Sequence, residues 1–162
     1  MSRRGARPGR QPLVVATALV LFAVVAAGCV QYSGSDLAAR VRSWMGSSSF
    51  VSDNDTLIDD IARAHAAVSG GTALQLRTVC AGLEADTGTA YETLPSPSSS
   101  LTGTLNTAYE TLFKAATSCA EAPSVRAPSV ARARSKMAEA RQAVERARGE
   151  LASLGIRWVP RR

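Results

Sequence analysis

Few side chains in this 162-residue sequence are equipped for chemistry: one histidine, His65, three cysteines, Cys29, Cys80 and Cys119, and a short acidic run, Asp53, Asp55, Asp59 and Asp60. A single histidine set among Ala64, Ala66 and Ala67 cannot complete a metal site from this supply of ligands, and no motif places a base beside a Ser or Cys nucleophile. His65 reads as an ordinary helix residue. The aspartates invite a calcium loop. A loop starting at Asp53 needs Gly at its sixth position and an acid at its twelfth, where Ile58 and Ala64 stand. The acids read instead as helix-capping and solvated groups. There is no C-x-x-C, no H-E-x-x-H and no phosphate-cradling glycine loop. The expectation is a binding or structural protein, with no enzymatic activity, cofactor or metal.

Charge is the more telling feature. Residues 29–122 hold five basic and ten acidic side chains, whereas residues 123–162 hold ten basic and three acidic. An acidic body is followed by a basic C-terminal third. Arg134, Arg141, Arg148 and Arg157 form the candidate face for an anionic partner, be it lipid headgroups, wall polymers or an acidic envelope protein. The plainer reading is a solvated face on a bundle helix.

The N-terminus says where the chain goes. Residues 1–11 are polar and basic, and Leu13 to Ala27 is a run of 15 residues whose one polar member is Thr17. As a helix it is roughly 22 Å long, short of the ~30 Å hydrocarbon core of a membrane. A basic segment, an apolar run of this length and small residues after it describe a secretory signal peptide. The small residues end in Ala26-Ala27-Gly28-Cys29, which resembles a bacterial lipobox, with Ala26 at the position usually held by Leu. That resemblance implies a diacylglyceryl group on Cys29, cleavage just before it, and a location at the outer face of the cell membrane. Two acyl chains give stable anchoring where one does not. Ser2-Arg3-Arg4 is similar to the start of a twin-arginine signal, but Gly5-Ala6 stands where that signal has hydrophobic residues, so the general secretory route is favoured and both remain open. The expected organisation is a signal peptide over 1–28, a tether over 29–35, a bundle over 36–155 and a basic tail over 156–162. An exported protein has little occasion to meet nucleic acid. As a whole the chain resembles the small, Ala/Arg-rich, disulfide-pinned helical lipoproteins of high-GC Gram-positive bacteria, a likeness that implies location more than activity.

With Cys29 lipidated, Cys80 and Cys119 remain as an even pair, and outside the cytoplasm a disulfide is the expected state. Two amphipathic patterns flank a Pro/Ser break. Leu76, Cys80, Leu83, Thr87, Ala90 and Leu94 recur at helical spacing, as do Leu101, Leu105, Ala108, Leu112 and Cys119. Pro95 and Pro97 prevent one continuous helix, and Ser99 or Ser100 is the expected N-cap of the second. In an antiparallel hairpin, facing residues have numbers of constant sum, and a Cys80–Cys119 bridge fixes that sum at 199. The hexapeptide TAYETL occurs at 89–94 and again at 107–112. The register makes the copies meet, each Tyr over the other helix's Ala, so the repeat reads as packing pseudo-symmetry.

Three more helices are expected. One covers 50–71, with a start like a capping box at Ser52 and Asp55 and a stop at Gly70-Gly71. One covers 129–154, a heptad run of Val130, Ala133, Met137, Ala140, Val144, Ala147, Leu151 and Leu154 closed by Gly155, with Arg141–Glu145 and Arg146–Glu150 as pairs along its outside. A short one, Ser35 to Gly46, lies beside the tether and suits either the membrane interface or the bundle. Low aromatic content, 5%, and abundant Ala favour closely packed helices. The fold class is therefore all-α, an up-down bundle of about four helices. Two functions fit: an anchored interaction or structural module at the cell envelope, or a small-ligand carrier with an apolar cavity between helices.

Overall fold

The computed structural model describes residues 34–159, which form five helices and no strand. The expected signal peptide, Cys29 and most of its tether lie outside the described residues, as do residues 160–162. The helices are α1 Gly34–Ser47, α2 Phe50–Gly70, α3 Ala73–Tyr91, α4 Ser99–Ala120 and α5 Pro128–Ser153. The chain is an all-α bundle with a Cys80–Cys119 disulfide, as the sequence predicts. α2 packs on α3, α3 on α4 and α4 on α5, and a thinner α2–α5 seam closes the ring. That is the neighbour order of an up-down-up-down bundle.

The seams differ because their residues differ. α4 and α5 meet at buried alanines, Ala115 of α4 and Ala133 of α5. Small side chains let the two backbones approach closely. On its side toward α2, α5 carries Arg134, Arg141 and Glu145, whose bulk and charge keep that seam open.

The helix ends show local rules at work. α2 starts one turn before the expected Ser52–Asp55 cap, because Phe50 is drawn wholly into the core. Its N-cap is Ser49, whose hydroxyl donates to Asp53, while Ser52 sits inside the first turn and donates back to the Ser49 carbonyl at 2.8 Å. α3 opens with a reciprocal capping box: Gln75 N–H donates to Thr72 Oγ1 at 3.2 Å, and Thr72 N–H donates to Gln75 Oε1 at 2.8 Å. α4 is capped by Ser98 rather than Ser99 or Ser100, its Oγ accepting from Leu101 N–H at 3.3 Å. The connecting loop holds Ser96 nearly buried, its N–H donating to Thr102 Oγ1 at 2.9 Å, which fastens the loop to the first turn of α4.

The hairpin register follows the disulfide, with Cα atoms 5.7 Å apart at Cys80 and Cys119. The facing residues Leu83, Ala116, Thr87 and Leu112 are all buried. The two TAYETL copies meet, with Tyr91 and Tyr109 ring centroids 6.0 Å apart. Their symmetry stops there, because Tyr109 is completely buried and Tyr91 is 44% exposed. α4 has neighbours on both sides, and Tyr109 reaches across the core to the diagonal helix α2. There its hydroxyl accepts from Asn54 Nδ2 at 2.7 Å and donates to Asn54 Oδ1 at 3.0 Å. Tyr91 stands in the last turn of α3, at the surface of the bundle.

One end of the bundle is closed by an aromatic cluster. α5 stops in a Schellman turn: Gly155 takes a positive φ of 68°, its N–H donates to Ala152 O, and Ile156 N–H donates to Leu151 O. The turn sends Ile156 and Trp158 back into the core, so the bundle's buried residues continue into what the sequence divides off as a tail. Trp158 lies 5.1 Å from Phe50, and Phe50 lies 4.6 Å from Trp44 of α1. Trp44 Nε1 donates to Thr93 O at 2.9 Å, and Ala38 and Val41 are buried. The choice left open for α1 is thereby made among the described residues: its apolar side packs on the bundle.

Candidate functional site

α5 buries its heptad residues, and this fixes where its arginines stand. Arg134, Arg141 and Arg148 are seven residues apart, two helical turns, so they form one column on the side toward α2. Beneath that column the thin seam leaves an open groove of about 550 Å³ lined by His65 of α2 and by Ala138, Arg141, Gln142, Glu145 and Arg146 of α5. Partial burial holds the His65 imidazole below its ordinary pKa, and the nearby positive charges of Arg134 and Arg141 push it further the same way.

The four predicted face residues therefore separate into two pairs. Arg134 and Arg141 come together at His65. Arg148 serves the fold: its guanidinium lies 4.5 Å from the centre of the Trp158 ring, its Nη1 donates to Glu145 at 2.6 Å, and its side chain is only 22% exposed. Arg157 is exposed between the buried Ile156 and Trp158, at the same end as Arg148. Arg146 and His65 join the site without having been singled out for it. The expected pairs along α5 are rearranged too. Glu145 pairs with Arg148 rather than Arg141, and Glu150 accepts from Thr104 of α4 rather than from Arg146. Among the described residues, Arg134, Arg141 and Arg146 have no carboxylate partner. Unpaired guanidinium groups beside a groove are suited to oxyanions, which accept several charge-assisted hydrogen bonds at once.

The acids of α2 are dispersed. Asp53 bonds Ser49, Asp55 accepts from Trp158 Nε1 at 3.4 Å, Asp59 is exposed, and Asp60 is buried against Arg63 with its Oδ2 unpartnered. Among the described residues no three His, Cys, Asp or Glu side chains converge as a metal site would require. Nor is any helix among them long and apolar enough to cross a membrane.

A second groove, about 340 Å³, lies between α4 and α5. Both grooves are open and edged by charged side chains, unlike the enclosed apolar cavity that a carrier of small apolar ligands needs. No family model matches the chain, and no curated protein or solved structure matches it either.

Proposed function

We propose that this protein is an interaction module held at the outer face of the cell membrane by a lipid on Cys29, and that it engages an anionic component of the envelope through the α2–α5 groove. The signal-like N-terminus and its lipobox-like end support the anchor. The observation that carries the partner reading is the position of Arg141 and Arg146, without carboxylate partners, on the wall of an open groove with His65, and of Arg134 near enough to act on that imidazole.

The anchor is tested by the intact mass of the protein from the membrane fraction. The expected mass is that of residues 29–162 plus a diacylglyceryl group, less two hydrogens for the disulfide. A mass that retains residues 1–28 removes the anchor.

The groove is tested by Arg134→Gln with Arg141→Gln. Helicity is expected to hold, and retention of the protein on anionic envelope material is expected to fall about tenfold or more as two charge-assisted contacts are lost. The same substitutions should raise the His65 pKa toward its ordinary value, since two nearby positive charges are gone. His65 is the only histidine in the sequence, so its ring proton is an unambiguous NMR probe. An anion in the groove favours the imidazolium, so affinity should climb as pH falls through and below the usual histidine value of about 6.5. Arg146 and Glu145 also line this groove. Retention that is indifferent to both arginines and to pH would sink the groove reading and leave the anchor standing.

A further inference from the structure

The groove between α4 and α5 lies across α5 from His65 and has its own donor set. Lys114 of α4 and Arg132 and Lys136 of α5 supply three positive charges, and Thr111, Ser118 and Ser129 supply three hydroxyls. No carboxylate lines it. Its floor is made by Ala115 and Ala133, each only 2% exposed, so the hollow exists because both helices carry a methyl where a longer side chain would fill it.

We infer that the α4–α5 groove is a second binding site, specific for the phosphate group of a phosphoester, and separate from the α2–α5 groove. The donor chemistry selects the ligand class. Several cations and hydroxyls from two helices around one hollow match a tetrahedral anion with acceptor oxygens on every side. A volume of about 340 Å³ exceeds what bare phosphate needs and leaves room for the ester substituent.

The competing contacts are weak. Lys114 pairs with Glu110 and Lys136 with Glu139, both at 2.7 Å, and all four side chains are more than half exposed. Exposed pairs of this kind contribute little and yield to a ligand of higher charge. Arg132 has no carboxylate partner among the described residues. The end of α5 adds to the field. Ser129 lies in its first turn, which carries no acidic residue and no side-chain cap, so the positive end of the helix is uncompensated beside the groove.

The test uses the purified whole protein and two probes at constant ionic strength: inorganic phosphate, and vesicles of neutral lipid with or without phosphatidylglycerol. Inorganic phosphate is expected to shift the amide resonances of Ser118, Ser129 and Lys136 saturably, beyond the effect of equivalent chloride. Arg132→Gln with Lys136→Gln should weaken that binding about tenfold or more, while Arg134→Gln with Arg141→Gln should change it by less than about twofold. Saturable binding of phosphate in solution, lost in the first variant, supports the site with a soluble phosphoester as its ligand. Binding only to phosphatidylglycerol vesicles, lost in the same variant, supports it with a lipid headgroup as the source. Binding to neither probe, or binding untouched by the Arg132 and Lys136 substitutions, overturns the inference.

Discussion

Replacing Cys80 and Cys119 by Ser is expected to lower the stability of the bundle by about 4 kcal/mol, the chain-entropy value for a loop of this length. The bridge joins residues 39 apart in sequence, at the far end of the hairpin from its Pro/Ser loop. In the unfolded chain it forbids the conformations in which α3 and α4 drift apart. Both cysteines are buried at 1% exposure or less, so each serine also places a hydroxyl in an apolar seam, which adds to the cost. For a domain of this size the midpoint of thermal unfolding should fall by roughly 10–15 °C. Thermal melts of the oxidised parent, the reduced parent and the double variant measure it. The reduced parent isolates the cross-link from the hydroxyl penalty. A melting temperature indifferent to reductant would show that the unfolded chain gains no freedom from opening the loop.

Tyr109→Phe is expected to cost about 1–3 kcal/mol, a large penalty for the removal of one oxygen. The loss is not of volume. Asn54 is fully buried, and its amide divides its hydrogen bonds between the Phe50 carbonyl, at 2.8 Å, and the Tyr109 hydroxyl. Removing the hydroxyl leaves amide groups of the fully buried Asn54 without that partner in the core. Burial also holds the Tyr109 phenol above its ordinary pKa, which favours the protonated form that donates to Asn54. Asn54→Leu alone should cost a similar amount, since it strands the phenol. Combining the two should recover much of the loss, because both polar partners then leave together. Urea denaturation of the four proteins gives the coupling energy. Additive losses would mean that the two side chains do not depend on one another.

The Asn54–Tyr109 bond also marks where sequence patterns stop being informative. Helix count, the hairpin, its register and the disulfide were legible, because each depends on spacing along a single segment or on one pairing of cysteines. Gly155 was legible as a helix stop for the same reason. The asymmetry of the two TAYETL copies was not, because Tyr91 and Tyr109 have identical local sequence and differ only in which helices surround them. The α3 capping box at Thr72 and Gln75 stands in the sequence as a Thr-x-x-Gln pattern, directly after the helix stop at Gly70-Gly71. The candidate site was half legible. Composition exposed a basic last helix, but the partners of each arginine are set across helices. Trp158, brought back by the turn at Gly155, takes Arg148 out of the face. The thin α2–α5 seam brings in His65, which local sequence shows only as a residue among alanines.

The aromatic cluster at one end of the bundle has a mechanical consequence. Trp44 and Trp158 flank the same ring, Phe50, so the first helix and the segment that follows the last one meet there. A force drawing the two ends of the domain apart loads that cluster first, and it parts like a zipper, one ring at a time, rather than by shearing whole helices past each other. Extension then runs inward through α1 and α2 from one side and through α5 from the other until it meets the Cys80–Cys119 bridge, which withholds from stretching the chain between two cysteines 39 positions apart. At a reach of ~3.3–3.6 Å per residue, that shortens the fully drawn chain by roughly 130 Å. The domain is soft at its entrance and inextensible in its middle.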